Sequence, residues 1–307
     1  MATSGIRITK DTAARVLAQY PGIRQSVVPF GEGGDFVVFR VGDLIFRFPK
    51  REDYDHLFVV EMSLLDWIAP QLPLPVPQYC YRGKPCEDYP YHFGGYPALM
   101  GIRLMDVGSP SAEMLDVVAP QLGAFLRALH HVDVRRTREL GVHDGSDNDS
   151  MEAVRQCALE DLAMGPGIIP PAWHDRCHAY FEDKTHVPAD YTGAPCLVHT
   201  DFGYEHILVD PSSHTVTGIL DWSDVAIGDP SWDFARLWAW QGDAFLCRVL
   251  EGYQSPDERI RERVHYRGLA TAVSFCYGEG NDTEHHDYQR SGLTFLNRIL
   301  KDSGLLA

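Results

Sequence analysis

Apolar and polar positions follow two different periods along the first hundred residues. Helical spacing of apolar residues predicts short helices over 8–20 and 55–68, and Pro70 ends the second. Between these helices, glycine-containing turns separate three short runs rich in Val, Ile and Phe, at residues 26–30, 35–41 and 44–48. Two further strand-like segments follow, at 78–82 and 96–102. Such runs are typical of an antiparallel meander, so we expect a small β-rich unit at the amino terminus.

The pattern becomes mainly helical beyond residue 111. The predicted helices cover residues 119–130, 152–164, 171–184, 232–240, 244–254, 256–277 and 288–301. Three short apolar pieces are embedded among turns, at residues 197–198, 207–210 and 216–220. We therefore expect an α+β protein with a β-rich lobe over 1–100 and a larger, mainly helical lobe over 101–307. A ligand is expected in the cleft between the two lobes.

Composition restricts the class of protein without identifying it. The 307 residues are 45% hydrophobic and 23% charged, which is ordinary for a globular protein. The sequence has neither an apolar run of membrane-spanning length nor an export signal, so a cytoplasmic location with no membrane partner is expected. Seven cysteines without a CxxC pair predict reduced thiols rather than disulfides or structural zinc.

The charge of the chain is strongly acidic. Lys and Arg total 27 against 43 Asp and Glu, a net charge of −16. Such a field argues against a nucleic-acid partner and favours a cationic small molecule, although the charge can equally serve solubility alone. We expect a monomer.

The residues with the clearest chemistry lie between 199 and 222. Asp201 and His206 stand at the two ends of one loop, and Asp221 follows a strand that can pair with 207–210 as a hairpin. A lone Asp or His in such places is more often a turn or interior residue. Phosphoryl transfer, however, needs one carboxylate at the acceptor hydroxyl and ligands for Mg²⁺ on the phosphates. The three residues together match that requirement.

These residues belong to a longer pattern that resembles a known family. The pattern is His199-x-Asp201-x4-His206, then Ile219-Leu220-Asp221-Trp222, then Gly228-Asp229-Pro230-x-x-Asp233-Phe234. It is similar to the aminoglycoside phosphotransferase family, which has a two-lobed protein-kinase-like fold. Most members have Asn where His206 stands, and His resembles the 2''-aminoglycoside and macrolide branches. Segments 31–35, 45–50 and 72–77 are similar in order and spacing to the first branch.

The resemblance implies roles around the catalytic loop. Asp201 corresponds to the catalytic carboxylate, and His206 and Asp221 correspond to the magnesium ligands. His199 and Asp233 are expected to be structural, with Asp233 accepting backbone N–H bonds from the Asp201 loop.

The resemblance also implies a nucleotide site in the amino-terminal lobe. Glu61 would pair with a phosphate-binding base, which is Arg47 where the 2''-aminoglycoside enzymes usually have Lys, and Lys50 is the nearest substitute. The sequence has no GxxxxGK[ST], which excludes a Walker loop. ATP and GTP both stay open as donors. The other expected nucleotide contacts are Gly31, Gly33, Gly34, Tyr96, Ala98 and Met100.

The acceptor stays open among three chemical classes. An aminoglycoside, with the 2''-hydroxyl as one candidate position for the phosphorylation that inactivates it, needs carboxylates for its ammonium groups. The candidate carboxylates are Asp243, Glu279, Asp282 and Glu284. An aromatic wall that includes Trp238 would instead suit the apolar ring of a macrolide phosphorylated at its 2'-hydroxyl. A small amino alcohol is the third class. A catalytically silent nucleotide-binding module is disfavoured because Asp201, His206 and Asp221 are all present.

Overall fold

A computed structural model of the chain describes residues 8–145, 149–255, 257–277 and 283–302, with the backbone alone for 283–287 and 302. Its first strands form one antiparallel sheet in the order β1-β2-β3-β5-β4. The strands are β1 Val27–Glu32, β2 Phe36–Val41, β3 Leu44–Pro49, β4 Tyr81–Gly83 and β5 Phe93–Pro97. The predicted meander is confirmed in β1 to β3. The tight turn between β2 and β3 needs a left-handed residue, and Gly42 supplies it with φ 62°.

Both faces of this sheet are covered. On one side Phe39, Phe46 and Phe48 pack with helix α1, Lys10–Leu17, whose start is capped by the Thr9 hydroxyl. On the other side lies helix α2, Glu52–Ile68, and its buried residues share one core with the rest of the chain. Because that core is continuous, α2 couples the sheet to the helical part.

The remainder of the described chain is mainly helical. Its helices are α3 Ala112–His130, α4 Val134–Glu139, α5 Met151–Ala163, α6 Pro171–Glu182, α7 Trp232–Tyr253, α8 Ile260–Tyr277 and α9 Thr283–Asp302. The helices predicted over 232–240 and 244–254 are the two segments of α7, and they meet at a kink where Gly242 has non-helical angles, φ 77° and ψ −168°. Among the helices described, none is long and apolar enough to cross a membrane.

Two small sheets position the loops of this helical part. Their strands are β6 Ile102–Arg103, β7 Cys196–Val198, β8 Ile207–Val209, β9 Val216–Ile219 and β10 Ala226–Gly228. Strands β8 and β9 form the predicted hairpin, and β6 pairs with β8, while β7 pairs with β10. The α+β, two-lobed prediction is confirmed. The boundary near residue 100 stays a prediction, although it falls between β5 of the large sheet and β6 of the small one.

Candidate active site

Asp201 lies in the loop that joins β7 to β8. Its two carboxylate oxygens have different partners: Arg236 donates to Oδ1, and Nε2 of His206 lies 2.9 Å from Oδ2. The Asp201 side chain is 31% exposed, so the carboxylate stays open to a ligand. Thr200, just before it, has a φ of 65°, which is unusual for a residue with a branched side chain. Backbone strain of this kind concentrates at functional sites.

Asp233 holds the Asp201 loop from helix α7. One of its oxygens accepts from the backbone N–H of His199 at 2.9 Å, and the other accepts from the N–H of Thr200 at 2.8 Å. His130 of α3 lies 2.9 Å from the first oxygen. Asp233 is fully buried, so these three donors replace water around its carboxylate. The contact expected from sequence is therefore present in the structure.

We expect Asp233→Ala to lower the free energy of unfolding by about 3–5 kcal/mol, because buried donors on His199, Thr200 and His130 lose their acceptor. Denaturant unfolding measures this change. Asp233→Asn keeps one carbonyl oxygen and should cost less. A loss below about 1 kcal/mol in Asp233→Ala would contradict the bracing role.

His199 joins the catalytic loop to the strand that precedes Asp221. Its Nε2 lies 3.0 Å from the carbonyl oxygen of Leu220, and its ring packs 4.8 Å from that of Trp222. Burial lowers the pKa of His199 to about 4, so the imidazole is neutral at physiological pH. His199 is thus in a position to orient the loop, and it is closed off from any ligand.

Asp221 follows β9 at the end of the hairpin. The N–H of Leu220 donates to the carbonyl of His206 at 2.8 Å, which brings the backbone before Asp221 beside His206. Asp221 has a φ of 60°. Desolvation opposes its charge, but Arg47, His206 and His199 outweigh that effect and lower the pKa of Asp221 to about 2. Its carboxylate is therefore ionised at neutral pH.

Arg47 of β3 connects the two lobes through its guanidinium group. Nη1 donates to Oε1 of Glu61 at 2.7 Å, and Nη2 donates to Oδ1 of Asp221 at 2.8 Å and to Oγ of Ser223 at 3.1 Å. The group also stacks 4.1 Å from the centre of the Phe36 ring. Burial acts against its charge, but Glu61 and Asp221 hold the pKa of Arg47 above its ordinary value. Arg47 therefore pairs with Glu61 as the sequence led us to expect, and it pairs with Asp221 as well.

Lys50 points to the glycine-rich loop rather than to Glu61. Its Nζ donates to the carbonyl of Gly33 and lies 3.1 Å from Oε1 of Glu32. An added Cβ at Gly31 or Gly34 would meet no atom within 4 Å, so these glycines border open space. Lys50 fixes this loop, and a substitute for Arg47 is not needed.

The segment between the lobes offers fewer free backbone groups than expected. The N–H of Ala98 donates to the carbonyl of Asp43 at 2.8 Å, and the carbonyl of Met100 accepts from Thr217 at 2.6 Å. The N–H of Ala98 is thus engaged within the protein, so the expected contact of Ala98 with a purine would use its carbonyl oxygen. Tyr96 is buried with its ring against Tyr79, so its side chain is structural.

The donor chemistry around Asp221 suits a magnesium ion held together with phosphates. Burial lowers the pKa of His206, which favours the neutral imidazole, and its Nε2 is buried without a partner in hydrogen-bonding geometry. Within the residues described, no group of three or more His, Cys, Asp or Glu forms a metal site alone. Mg²⁺ commonly takes one or two protein ligands and completes its shell with phosphate and water. Asp221 and His206 fit that pattern.

Asp224 is a further carboxylate on this side of the cleft, and the sequence reasoning did not single it out. Desolvation, and the charges of Asp221 and Asp35, raise the pKa of Asp224 to about 6. Its backbone carbonyl accepts from the Thr200 hydroxyl at 2.8 Å. Asp224 thus ties the strand end that carries Asp221 to the loop that carries Asp201.

The acceptor side of Asp201 contains two charged residues that sequence reasoning missed. Arg236 of α7 ion-pairs with both Asp201 and Glu205, and its guanidinium lies 5.0 Å from the centre of the Phe275 ring. Beside them Tyr204 and Trp240 stack at 5.1 Å with an interplanar angle of 4°, and both are partly exposed. The sequence held one signal for Glu205: residues 199–206 contain two acidic residues and neither Lys nor Arg, so a cation from another part of the chain was needed to pair with them.

Trp238 does not line the cleft, which corrects the role expected for it. It is fully buried, stacks on His265 at 4.5 Å and presses on Gly268, where an added Cβ would lie 2.5 Å from its ring. Trp240, two positions on, is the partly exposed member of the pair because helix positions two apart face different sides.

Of the other acceptor candidates, the structure describes a side chain for Asp243 alone. Asp243 is exposed and pairs with His265 at 2.7 Å. Glu279 and Asp282 lie outside the described residues, and Glu284 is described by its backbone alone.

Comparison with known proteins finds a phosphotransferase family model and solved structures of phosphotransferases. Residues 26–265 match the family model described as "Phosphotransferase enzyme family". The uncharacterized protein YcbJ of Bacillus subtilis is 27% identical over 241 residues, which are 74% of each chain. The GDP complex of wild-type aminoglycoside 2'-phosphotransferase-IIIa is 28% identical with a TM-score of 0.74, covering 95% of this chain and 98% of that one. The macrolide 2'-phosphotransferase MphH from Brachybacterium faecium shares the fold, with a TM-score of 0.63, 24% identity and coverage of 94% and 98%.

Proposed function

This chain belongs to the phosphotransferase enzyme family and transfers a phosphoryl group to an alcohol; from that premise we propose that its acceptor is a hydroxyl group of an aminoglycoside. The observation that carries the proposal is one continuous set of polar contacts. It runs from Glu61 through Arg47 to Asp221, and through the hairpin to His206 and Asp201. The set spans both lobes, as transfer from a nucleotide in one lobe to an acceptor in the other requires.

Asp201 binds and orients the acceptor hydroxyl in this mechanism. Its carboxylate accepts the hydrogen bond of the acceptor hydroxyl and aims that oxygen at the γ-phosphorus. As the new O–P bond forms, the bond from the γ-phosphorus to its bridging oxygen breaks, and the hydroxyl proton passes to Asp201. Nε2 of His206 lies 2.9 Å from the second carboxylate oxygen but outside hydrogen-bonding geometry, so Arg236 is the residue that donates to this carboxylate.

Asp221 and His206 are the residues that would hold a magnesium ion with the nucleotide. The ion supplies charge neutralisation on the phosphate oxygens when it is bound. Arg47 orients Asp221 for this role through a bond of 2.8 Å. The donor nucleotide is ATP or GTP, and the GDP complex of the 28% identical relative supports GTP.

The acidic character of the protein supports a cationic acceptor. Its net charge of −16 attracts a polycation to the protein. Phosphorylation would remove the antibiotic activity of such an acceptor. The expected position of transfer is the 2''-hydroxyl, following the resemblance of segments 31–35, 45–50 and 72–77 to the enzymes of that branch.

A macrolide acceptor is the second candidate, and one observation favours it. Arg236 neutralises part of the negative charge at Asp201 and Glu205, and the stacked pair of Tyr204 and Trp240 offers apolar surface next to them. Such a surface suits the apolar ring of a macrolide better than a polycation.

A panel of acceptors separates these candidates. We expect kanamycin or gentamicin to stimulate nucleotide consumption by the purified protein, with ATP and GTP compared in parallel. Erythromycin tests the macrolide alternative, and choline tests a small amino alcohol. Stimulation by erythromycin alone would replace the aminoglycoside proposal. If nucleotide binds and no acceptor stimulates its consumption, the antibiotic acceptor class is refuted.

A further inference from the structure

The acidic residues of the catalytic loop are paired with an arginine from helix α7, because the loop itself has no Lys or Arg. Residues 199–206 include Asp201 and Glu205 but neither Lys nor Arg. The guanidinium of Arg236 from α7 lies against both of these carboxylates. Its side chain is 5% exposed, so water contributes little to its solvation, and the two carboxylates replace it.

The surroundings of Arg236 leave it little freedom. Its guanidinium lies 5.0 Å from the centre of the Phe275 ring. The backbone of Gly203 is also close to it, because an added Cβ there would lie 2.2 Å from Oε2 of Glu205 and 2.6 Å from Cζ of Arg236. The close approach explains the glycine at position 203. Arg236 thus contacts both Phe275 and the loop that carries Asp201.

The two sides of this ion pair differ in their access to ligands. Arg236 is closed off, whereas the Asp201 side chain is 31% exposed. A purely structural pair in the same lobe looks different: Arg263 and Asp229 are each 3% exposed and lie 2.7 Å apart. This difference in exposure indicates that Arg236 holds a carboxylate that is also accessible to a ligand.

Building on the function proposed above, we propose that Arg236 is a positioning residue that fixes the plane of the Asp201 carboxylate for the acceptor hydroxyl. Arg236 donates to Oδ1, Nε2 of His206 lies 2.9 Å from Oδ2, and the Asp201 side chain is still 31% exposed. A carboxylate alone rotates over a broad range about its terminal bond. Holding it in one orientation removes an entropic cost from the reaction. Glu205 has the secondary task of holding Arg236 in place.

Arg236→Ala is the central variant of the test. We expect kcat to fall by about 10²-fold, because small misplacements of a reacting group have effects of that size. The KM for the nucleotide should change by less than about threefold, since Arg236 lies on the acceptor side. Added guanidinium or methylguanidine should restore at least about tenfold of the lost turnover in this variant but none in Asp201→Ala. A purely structural role would show no such rescue.

Matched variants keep the test decisive. Glu205→Gln should lower kcat less than Arg236→Ala does, because Arg236 retains Asp201. Arg263→Lys removes the forked geometry from the structural pair, and it should lower the melting temperature while leaving kcat within about threefold.

If Arg236→Ala fails to fold, Arg236→Lys keeps the charge and should show a smaller loss of kcat at unchanged nucleotide KM. Turnover within about threefold of the wild type in Arg236→Ala, or in Arg236→Lys if that is the variant that folds, overturns the positioning role. In a folded Arg236→Ala, loss of turnover without rescue also overturns it.

The assay also separates this inference from the proposed acceptor. All variants are compared on the acceptor that the panel identifies, and in parallel on slow nucleotide hydrolysis, where water replaces the alcohol. If the wild type consumes nucleotide with water but with no antibiotic, the acceptor proposal fails while Arg236 is still tested on the hydrolysis rate.

Discussion

Replacing Asp201 with alanine is expected to remove nearly all phosphoryl transfer while the protein folds and binds nucleotide. A positioned general base contributes about 10²–10⁴-fold to a rate, so kcat should fall by that factor. Folding should survive because the loop is held by Asp233 through the N–H groups of His199 and Thr200, not by Asp201 itself. Arg236 loses one carboxylate but keeps Glu205.

Two measurements and two control variants test this expectation. Turnover is compared with the wild type on the same acceptor, and a nucleotide titration shows whether binding is intact. Asp201→Asn preserves the shape of the side chain, so an equal loss in this variant assigns the effect to the carboxylate charge. Glu262→Ala removes an exposed acid of the same lobe, 54% exposed, and should leave turnover within about twofold. Comparable turnover in Asp201→Ala would refute the catalytic assignment.

The sequence pattern predicted most strands and helices because strong local signals mark their ends. Short β-branched and aromatic runs between glycines gave the strands of the meander within three residues. Local signals also misled in places. Pro120 favours a helix start at 119, but Ser111 caps the true start and the helix continues through the proline. The three-residue strand β10 was missed because so short a run has no period of its own.

The candidate site was predictable where the relevant residues lie on one hairpin or its flanking loops. Asp201, His206 and Asp221 fall within about twenty residues, so strand pairing alone brings them together. Arg236 could not be placed in the same way. It meets Asp201 only because α7 packs with that face toward the loop, and the rotation of a helix that is apolar on most sides is not fixed by its sequence. The same ambiguity assigned Trp238 rather than Trp240 to the cleft.

The hydrogen bond from Arg47 to Asp221 could not be predicted from the residue type at position 47 alone. Arg at position 47 was expected to pair with Glu61, as Lys would, and it does so at 2.7 Å. A guanidinium has a second amino group, however, and that group reaches Asp221 and Ser223. Lys at this position would have a single ammonium for all three partners. The second contact depends on the closeness of the two lobes, which no local pattern encodes.

Replacing Asp221 with alanine is expected to abolish most magnesium-dependent nucleotide binding and to lower turnover by about 10²-fold or more. A metal ion on the phosphates is worth several kcal/mol of charge stabilisation in the transition state, and tenfold in rate corresponds to about 1.4 kcal/mol. Because the pKa of Asp221 is lowered to about 2, its carboxylate is present for the ion at every pH suited to an assay. The effect of the substitution should therefore be independent of pH between about 6 and 8.

The design of this experiment must separate loss of a metal ligand from loss of the contact between lobes. Asp221→Ala also removes the Arg47 bond of 2.8 Å, although Arg47 keeps Glu61 and Ser223. Nucleotide titrations with Mg²⁺ and with EDTA make the distinction. A role in metal binding predicts that the variant and the wild type differ with Mg²⁺ and agree in EDTA. Equal weakening under both conditions would assign Asp221 to the coupling of the lobes through Arg47, and an unchanged Mg²⁺ titration would remove Asp221 from the metal site altogether.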